Sequence, residues 1–563
     1  MKYPKPLKNL IIIELCFPFV FLIFGIYHGL IQVLLRAGII KSTEVFGINY
    51  YQGLTGHGVI NAILLTTFFA VAFGHVLIFQ VLGRVQLTLA KISMWLMLAG
   101  ASSALWAVLA GKASVLYTFY PPLRAHPAFY LGLAIYIVGS WFALYSWISP
   151  TLEWYRNHEN KKLPLAVLGM LVTFILWQIA TLPVAVEVLG LLVPWSLGLT
   201  DHINVVLSRT LFWFFGHPLV YFWLLPSYVA YYCILPKVAG GKLYSDFAGR
   251  FAFLIFLVFS SPLGLHHQFS DPGISSDWKG IHTILTSIVA IPSMVTAFTV
   301  AASLEIAGRM KGGTGLFSWW KKLPYFEESS WLFPYFFCGL VIFIFGGATG
   351  VVNASYNVNQ VVHNTAWVPA HFHLTVAGPV FLTILGLTLY ILLGIQGKKL
   401  QAPKLTLLVP YVWTLGVMVM SSGLFIGGIR GEPRRTNLGV SYLNPNAPEY
   451  RPDWVVSTSL AAVGGTIMTI SMVIYFYVLI RSLLSESFES CELVFELPLA
   501  DAFHDEEIGI VKKLKPWIVG AVIMSALAYA PPIYQILKDG NSGGQAFTPD
   551  SPISIFQNSG DKK

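Results

Sequence analysis

Two histidines, His371 and His373, stand in the stretch WVPAHFHLTVAG with one phenylalanine between them. Successive residues of an α-helix are about 100° apart, so these two imidazoles point roughly 200° apart, to opposite faces. On one regular helix they cannot share a metal, so they serve two sites. His266 and His267 are adjacent in SPLGLHHQFSDPG. They share a metal only at a distorted helix end, which Pro262 and Gly264 favour by removing a backbone donor and relaxing the backbone. Imidazole suits zinc, copper, iron and nickel. A three-histidine centre needs one more ligand, which His217 in FFGHPLVYFW can supply. His57, in LTGHGVINA, then pairs with one of His371 and His373. A haem iron with two axial histidines is saturated and suits electron transfer. One with a single histidine keeps a position open for a gas.

The elements that position these residues are membrane helices. Of 563 residues, 56% are hydrophobic and only 11% charged, with a mean hydropathy of +0.68. A globular chain is about 25% charged. The lipid bilayer is therefore the expected surrounding, and nucleic acid is not a partner despite the net charge of +9. A span needs about 20 mostly apolar residues. Thirteen stretches qualify, near 10–35, 57–82, 92–110, 128–149, 165–192, 210–235, 251–267, 281–304, 331–352, 367–394, 405–427, 456–481 and 515–533. The reading is an all-α polytopic bundle of about 13 transmembrane helices, one domain over 1–535, with 536–563 a loosely ordered tail. Cys16, Cys233, Cys338 and Cys491 are far apart and form no CxxC, which argues against a disulfide framework or a thiolate metal site. MKYPKPLKN lacks a small-residue cleavage site, so the first apolar run reads as a span and not as a signal peptide.

Lys and Arg are in excess on the inner segments when the N-terminus lies inside and the C-terminus outside. In that orientation His57, His217, His266, His267, His371 and His373 all fall in the outer third of the bilayer. Ionisable groups within a membrane are costly and functional by default. Six imidazoles from four helices at one depth read as a metal layer. His28, His75, His126, His158, His202, His282 and His504 read as packed or interfacial. Glu14 and Glu187 are buried carboxylates with no assigned partner.

GHPLVYFWLLP, the HH pair and HFHLTVAG resemble subunit I of the haem–copper oxygen reductases, and the likeness spans nearly the whole chain. It implies that His57 and His373 ligate a low-spin haem and His371 a high-spin haem. His217, His266 and His267 would hold the copper ion CuB, with dioxygen bound between iron and copper. Tyr221 lies four residues after His217, one turn away on the same face. In that family this tyrosine is joined covalently to the copper-ligating histidine and supplies an electron and a proton. A-type members carry a glutamate in the turn that here reads Pro218, Leu219 and Val220. C-type members put the tyrosine on another helix. The pattern resembles the B-type, the ba-type cytochrome c oxidases, which have thirteen spans and one proton route. Tyr228 and Tyr232 lie with Tyr221 on one helix face, and with Ser293 and Thr296 they match that route. Their hydroxyls are of the kind that holds a water chain.

Arg434 and Arg435 match arginines that face the haem propionates, since Arg pairs carboxylates in a bidentate fork. His363 matches a histidine beside the propionates of the high-spin haem. Asn359 and Asn364 stand where relatives often carry an acid. The resemblance further implies a low-spin B-type haem, a high-spin A-type haem and one copper ion. It implies a terminal oxidase that reduces dioxygen to water and pumps protons in a bacterial or archaeal plasma membrane. Its partners would be a copper-bearing subunit II, cytochrome c as electron donor and a small accessory helix subunit. No two-cysteine dinuclear copper site is recognised in this sequence, so the bare chain is expected not to oxidise cytochrome c. A nitric oxide reductase of the same superfamily would place iron beside the haem with carboxylate help and lack Tyr221. A transporter whose histidines line a water-filled path would give no haem spectrum.

Overall fold

The computed structural model describes residues 2–42, 44–159, 161–486, 494–506 and 509–538. Its long helices are α1 (Lys5–Arg36), α2 (Tyr50–Leu82), α3 (Leu87–Leu109), α4 (Pro127–Asn157), α5 (Leu165–Ser196), α6 (Val205–Cys233), α7 (Asp246–Phe259), α8 (Ser276–Met310), α9 (Phe333–Ala354), α10 (Trp367–Gln396), α11 (Pro403–Ile429), α12 (Pro452–Leu483) and α13 (Leu514–Lys538). Among the described residues, twelve of these are long and apolar enough to cross a membrane. The exception is α7, expected over 251–267, which has only 14 residues. Its ladder stops at Ser260, before Pro262, and the chain resumes as a tight 3₁₀ turn over Gly264–Gln268. The distorted end expected around Pro262 and Gly264 is therefore present, and it carries His266 and His267. The expected tail from 536 begins inside α13. Its remainder, and Cys491, lie outside the described residues, while Cys16, Cys233 and Cys338 are free.

Lipid tails are as apolar as leucine, so helices associate through close packing of small residues. On α3, a Cβ added at Gly100 would lie 2.5 Å from the Gly132 carbonyl oxygen of α4. On α12, one at Gly464 would lie 2.2 Å from the Met420 nitrogen of α11. The α3–α4 and α11–α12 backbones touch because those side chains are absent. α2 is buried along its apolar length, and α13 is the most exposed of the twelve spans.

The ring of Tyr3 lies 4.7 Å from that of Phe79, near the end of α2, while Tyr529 of α13 stacks on Phe214 of α6 at 3.9 Å. The described termini thus sit at opposite ends of the bundle, and α13 finishes at the end where α2 and α6 begin. Both of those helices start on an asparagine cap. Asn49 Oδ1 accepts the Gln52 N–H at 2.8 Å, and Asn204 Oδ1 accepts the Leu207 N–H at 2.9 Å. His57 and His217 follow within the first few turns.

Candidate metal centres

His217, His266 and His267 bring one ring nitrogen each to within 4.8 Å of one another. His217 Nδ1 and His267 Nε2 are 3.3 Å apart. Two nitrogens about 2.0–2.1 Å from one tetrahedral ion are separated by roughly 3.3 Å. The trio therefore fits a single ion. His266 donates its Nδ1–H to the Leu263 carbonyl at 2.5 Å, which leaves Nε2 as its ligand atom. Trp213 stacks on His267 with ring centres 3.7 Å apart and planes 11° from parallel. The Tyr221 ring is 4.8 Å from that of His217, whose Nε2 is buried without a hydrogen-bond partner.

His57 and His373 face each other across a different space. Their ring centres are 6.3 Å apart and their planes 21° from parallel. Two metal–nitrogen bonds of about 2 Å, plus roughly 1 Å from each nitrogen to its ring centre, give about 6 Å. The gap fits one metal between two axial imidazoles. The His57 Nδ1–H donates to the Gly25 carbonyl at 2.7 Å and the His373 Nδ1–H to the Pro369 carbonyl at 2.7 Å, so both Nε2 lone pairs remain free. A cavity of about 260 Å³ opens between them, lined also by Phe372, Met420, Met468, Arg434 and Arg435. Its apolar walls and cationic rim suit a porphyrin with carboxylate tails.

His371 points to the other face of α10, toward α9. Its Nδ1 is 3.0 Å from the Gly346 carbonyl and 3.1 Å from Thr349 Oγ1. A Cβ at Gly350 would sit 3.1 Å from His371 Cε1. The structure thus separates His371 from His373 as the 200° argument required.

Above the cavity, Arg434 donates to Asn364 Oδ1 through Nε at 3.2 Å and Nη2 at 2.7 Å. Arg435 lies 5.5 Å over the Tyr120 ring. Burial, and then the like charge of Arg435, push the Arg434 guanidinium down to about 9. Burial and the guanidinium of Arg434 push His363 down to about 4, so it is neutral at pH 7. His363 Nδ1 meets Asn359 Oδ1 at 3.2 Å. These crowded cations favour incoming carboxylates. The loop carrying them is anchored by Glu432, which is fully buried, accepts from Arg36 Nη2 at 2.5 Å and from Ser457 Oγ at 2.7 Å. Thr365 and Pro433 form an antiparallel bridge, and the Ala366 N–H donates to the Glu432 carbonyl at 2.7 Å.

Toward the opposite end, Tyr232 Oη donates to Thr296 Oγ1 at 2.6 Å, and Tyr228 Oη reaches Ser293 Oγ at 3.5 Å. Phe256 packs beside Tyr221 and Tyr228, 5.3 Å from the first ring and 5.6 Å from the second.

Several contacts have no counterpart in the sequence reading. Asn61 Nδ2 lies 3.1 Å from His57 Nδ1; its place four residues on was the available signal. Thr349 beside His371 left none. Glu14 meets His75 Nδ1 at 3.1 Å, and Glu187 accepts from Ser208 Oγ at 2.7 Å, so both carboxylates have partners.

Residues 9–467 match the family model described as Cytochrome C and Quinol oxidase polypeptide I. The chain is 40% identical over 546 residues to cytochrome c oxidase subunit 1 of Thermus thermophilus, with 95% of each chain covered. It is 27% identical over 486 residues to the heme-copper oxidase subunit I+III of Aeropyrum pernix, covering 81% of this chain and 55% of that one. A solved heme-copper terminal oxidase dimer superposes with a TM-score of 0.94 at 47% identity, covering 99% of this chain and 97% of that one.

Proposed function

The chain belongs to the cytochrome c and quinol oxidase polypeptide I family and is the catalytic subunit of a haem–copper terminal oxidase; from that premise we propose how its own residues divide the work. His57 and His373 hold the low-spin haem, His371 the high-spin haem, and His217, His266 and His267 the copper ion CuB. When bound, these groups supply electron transfer and dioxygen reduction to water. The low-spin haem is B-type and the high-spin one A-type. Arg434, Arg435 and His363 orient the propionates through the cation cluster at the cavity rim.

Tyr221 delivers a proton from its Oη, next to His217. Tyr232, Thr296, Ser293 and Tyr228 hand protons toward it from the opposite end, where the Tyr232–Thr296 bond is the tightest link. The N-terminus is cytoplasmic, the described C-terminal end faces outward, and the membrane is a bacterial or archaeal plasma membrane. Electrons arrive from cytochrome c through a partner copper-bearing subunit II, a small accessory helix subunit completes the complex, and part of the proton flux is pumped. Residues 1–535 act as one domain.

The observation that carries this reading is the pair of histidine constellations, one fitting a single ion and one fitting a metal between parallel rings. The test is a reduced-minus-oxidised spectrum of the purified complex with metal analysis. Two haems and one copper per copy of this chain are expected. A third iron in place of copper, or no Soret band, rejects the assignment.

A further inference from the structure

The turn that carries His266 and His267 is short and irregular, and nothing within it holds its first residues. A helical turn leaves its leading N–H groups without internal partners. Here two side chains from elsewhere take them. Tyr529 Oη, on α13, accepts the Gly264 N–H at 2.7 Å. His282 Nδ1, on α8, accepts the Leu265 N–H at 3.3 Å. These are the two residues immediately before the histidine pair.

Each capping group is itself tied back. Tyr529 Oη also reaches the Trp213 carbonyl at 3.4 Å, on the helix that carries His217. His282 Nε2–H donates to the Ala528 carbonyl at 3.2 Å, next to Tyr529. A Cβ at Gly264 would lie 2.0 Å from the Trp213 oxygen and 2.3 Å from Tyr529 Oη, so only glycine lets the two backbones and the Tyr529 hydroxyl meet. Leu265, Ile274, Ala528 and Tyr529 form an apolar cluster of their own, separate from the main core. α13 is the most exposed span, yet Tyr529 is fully buried, and both lie beyond the residues 9–467 that the family model matches.

We propose that Tyr529 and His282 are positioning residues for the copper site: α13 clamps the Gly264–Leu265 backbone to Trp213, and so fixes His266 and His267 relative to His217. This rests on the reading of that trio as the copper site. Beside the 3.4 Å bond from Gln268 Nε2 to Thr210 Oγ1, Tyr529 Oη bonds both the His266–His267 turn and the helix of His217. Its loss frees the two halves of the ligand set to shift against each other, while the cavity between His57 and His373 is untouched.

The test uses the purified complex with its partner subunits. Carbon monoxide is bound to the reduced enzyme, photolysed at low temperature, and its C–O stretching band on copper recorded. Copper per haem is measured after challenge with a chelator, and the low-spin haem spectrum is the internal control. Tyr529→Phe and His282→Leu should shift or broaden the copper-bound band and weaken copper retention about 10-fold. The low-spin spectrum should stay unchanged. His282→Gln keeps an acceptor and a donor and should restore the band. Wild-type band and copper retention in both Tyr529→Phe and His282→Leu overturn the proposal. Parallel loss of the low-spin spectrum in both overturns it too, since the role would then be general packing. A wild-type complex with haem but no copper rejects the copper assignment itself, a result distinct from the failure of the clamp.

Discussion

His57, His266, His371 and His373 each turn Nδ1 toward a backbone carbonyl, of Gly25, Leu263, Gly346 and Pro369 respectively. That bond selects the tautomer and leaves the Nε2 lone pair free for a metal, because a ring nitrogen that donates its proton cannot also offer a lone pair. The consequence differs between neighbours on α10. His373→Ala should abolish the six-coordinate low-spin signal while a carbon-monoxide-reactive haem remains, read by absorption and electron paramagnetic resonance. Loss of the carbon-monoxide-reactive haem alone would reverse the two assignments. The six histidines could be picked out of the sequence by their motifs and by the one depth at which four helices carry them, since His28 and His75 also lie on apolar helices. The groups that steer them could not. Gly25 and Pro369 act through backbone oxygen, which every residue possesses. Thr349 is one of many threonines on apolar helices, and its contact with His371 depends on how α9 and α10 pack.

At the scale of elements, the histidine-bearing helices are locally irregular where it matters. A π-helical stretch, Val59–Leu64, follows His57, and another, Val376–Val380, follows His373. Such bulges insert an extra residue per turn and often mark functional sites. Apolar length located α2 and α10 but not these bulges, since one extra residue hardly changes the length of an apolar run. α7 was different: Pro262 and Gly264 signalled its distorted end, although the span was expected to run on to 267 and its ladder stops at Ser260. α1 contributes by absence. A Cβ at Gly29 would come within 2.8 Å of His57 Nδ1 and Cε1. Gly29→Ala should therefore tilt the ring, cost about 1–3 kcal/mol through overpacking, and shift or weaken the low-spin haem band. The carbon monoxide adduct of the other haem should persist. An unaltered low-spin spectrum would show that the ring has room to move.

Across the whole molecule, the layer of six histidines lies at one end and the hydroxyl-bearing side chains lead toward the other. Tyr228 and Tyr232 are almost wholly buried, and their partners Ser293 and Thr296 come from α8. Tyr228→Phe keeps the ring and removes only the hydroxyl. It should slow steady-state oxygen consumption several-fold and delay proton uptake in a flash experiment, with the haem spectrum unchanged. Turnover at the wild-type rate would remove Tyr228 from the route. The arrangement of spans was readable because each crossing must be long and apolar. The pairing of Tyr232 with Thr296 and of Tyr228 with Ser293 was readable only through the family resemblance, since it depends on how α6 and α8 pack.

The short bridge between Thr365 and Pro433 has an effect beyond local tidiness. It stitches the entrance of α10, which bears His371 and His373, to the strip that bears Arg434 and Arg435, and Glu432 bolts that strip to Arg36 and Ser457. On the proposed assignment, the groups that would hold a porphyrin by its centre and by its acidic fringe are thus parts of one connected frame. A displacement of the start of α10 is therefore carried into the arginine strip, and the two move as one piece.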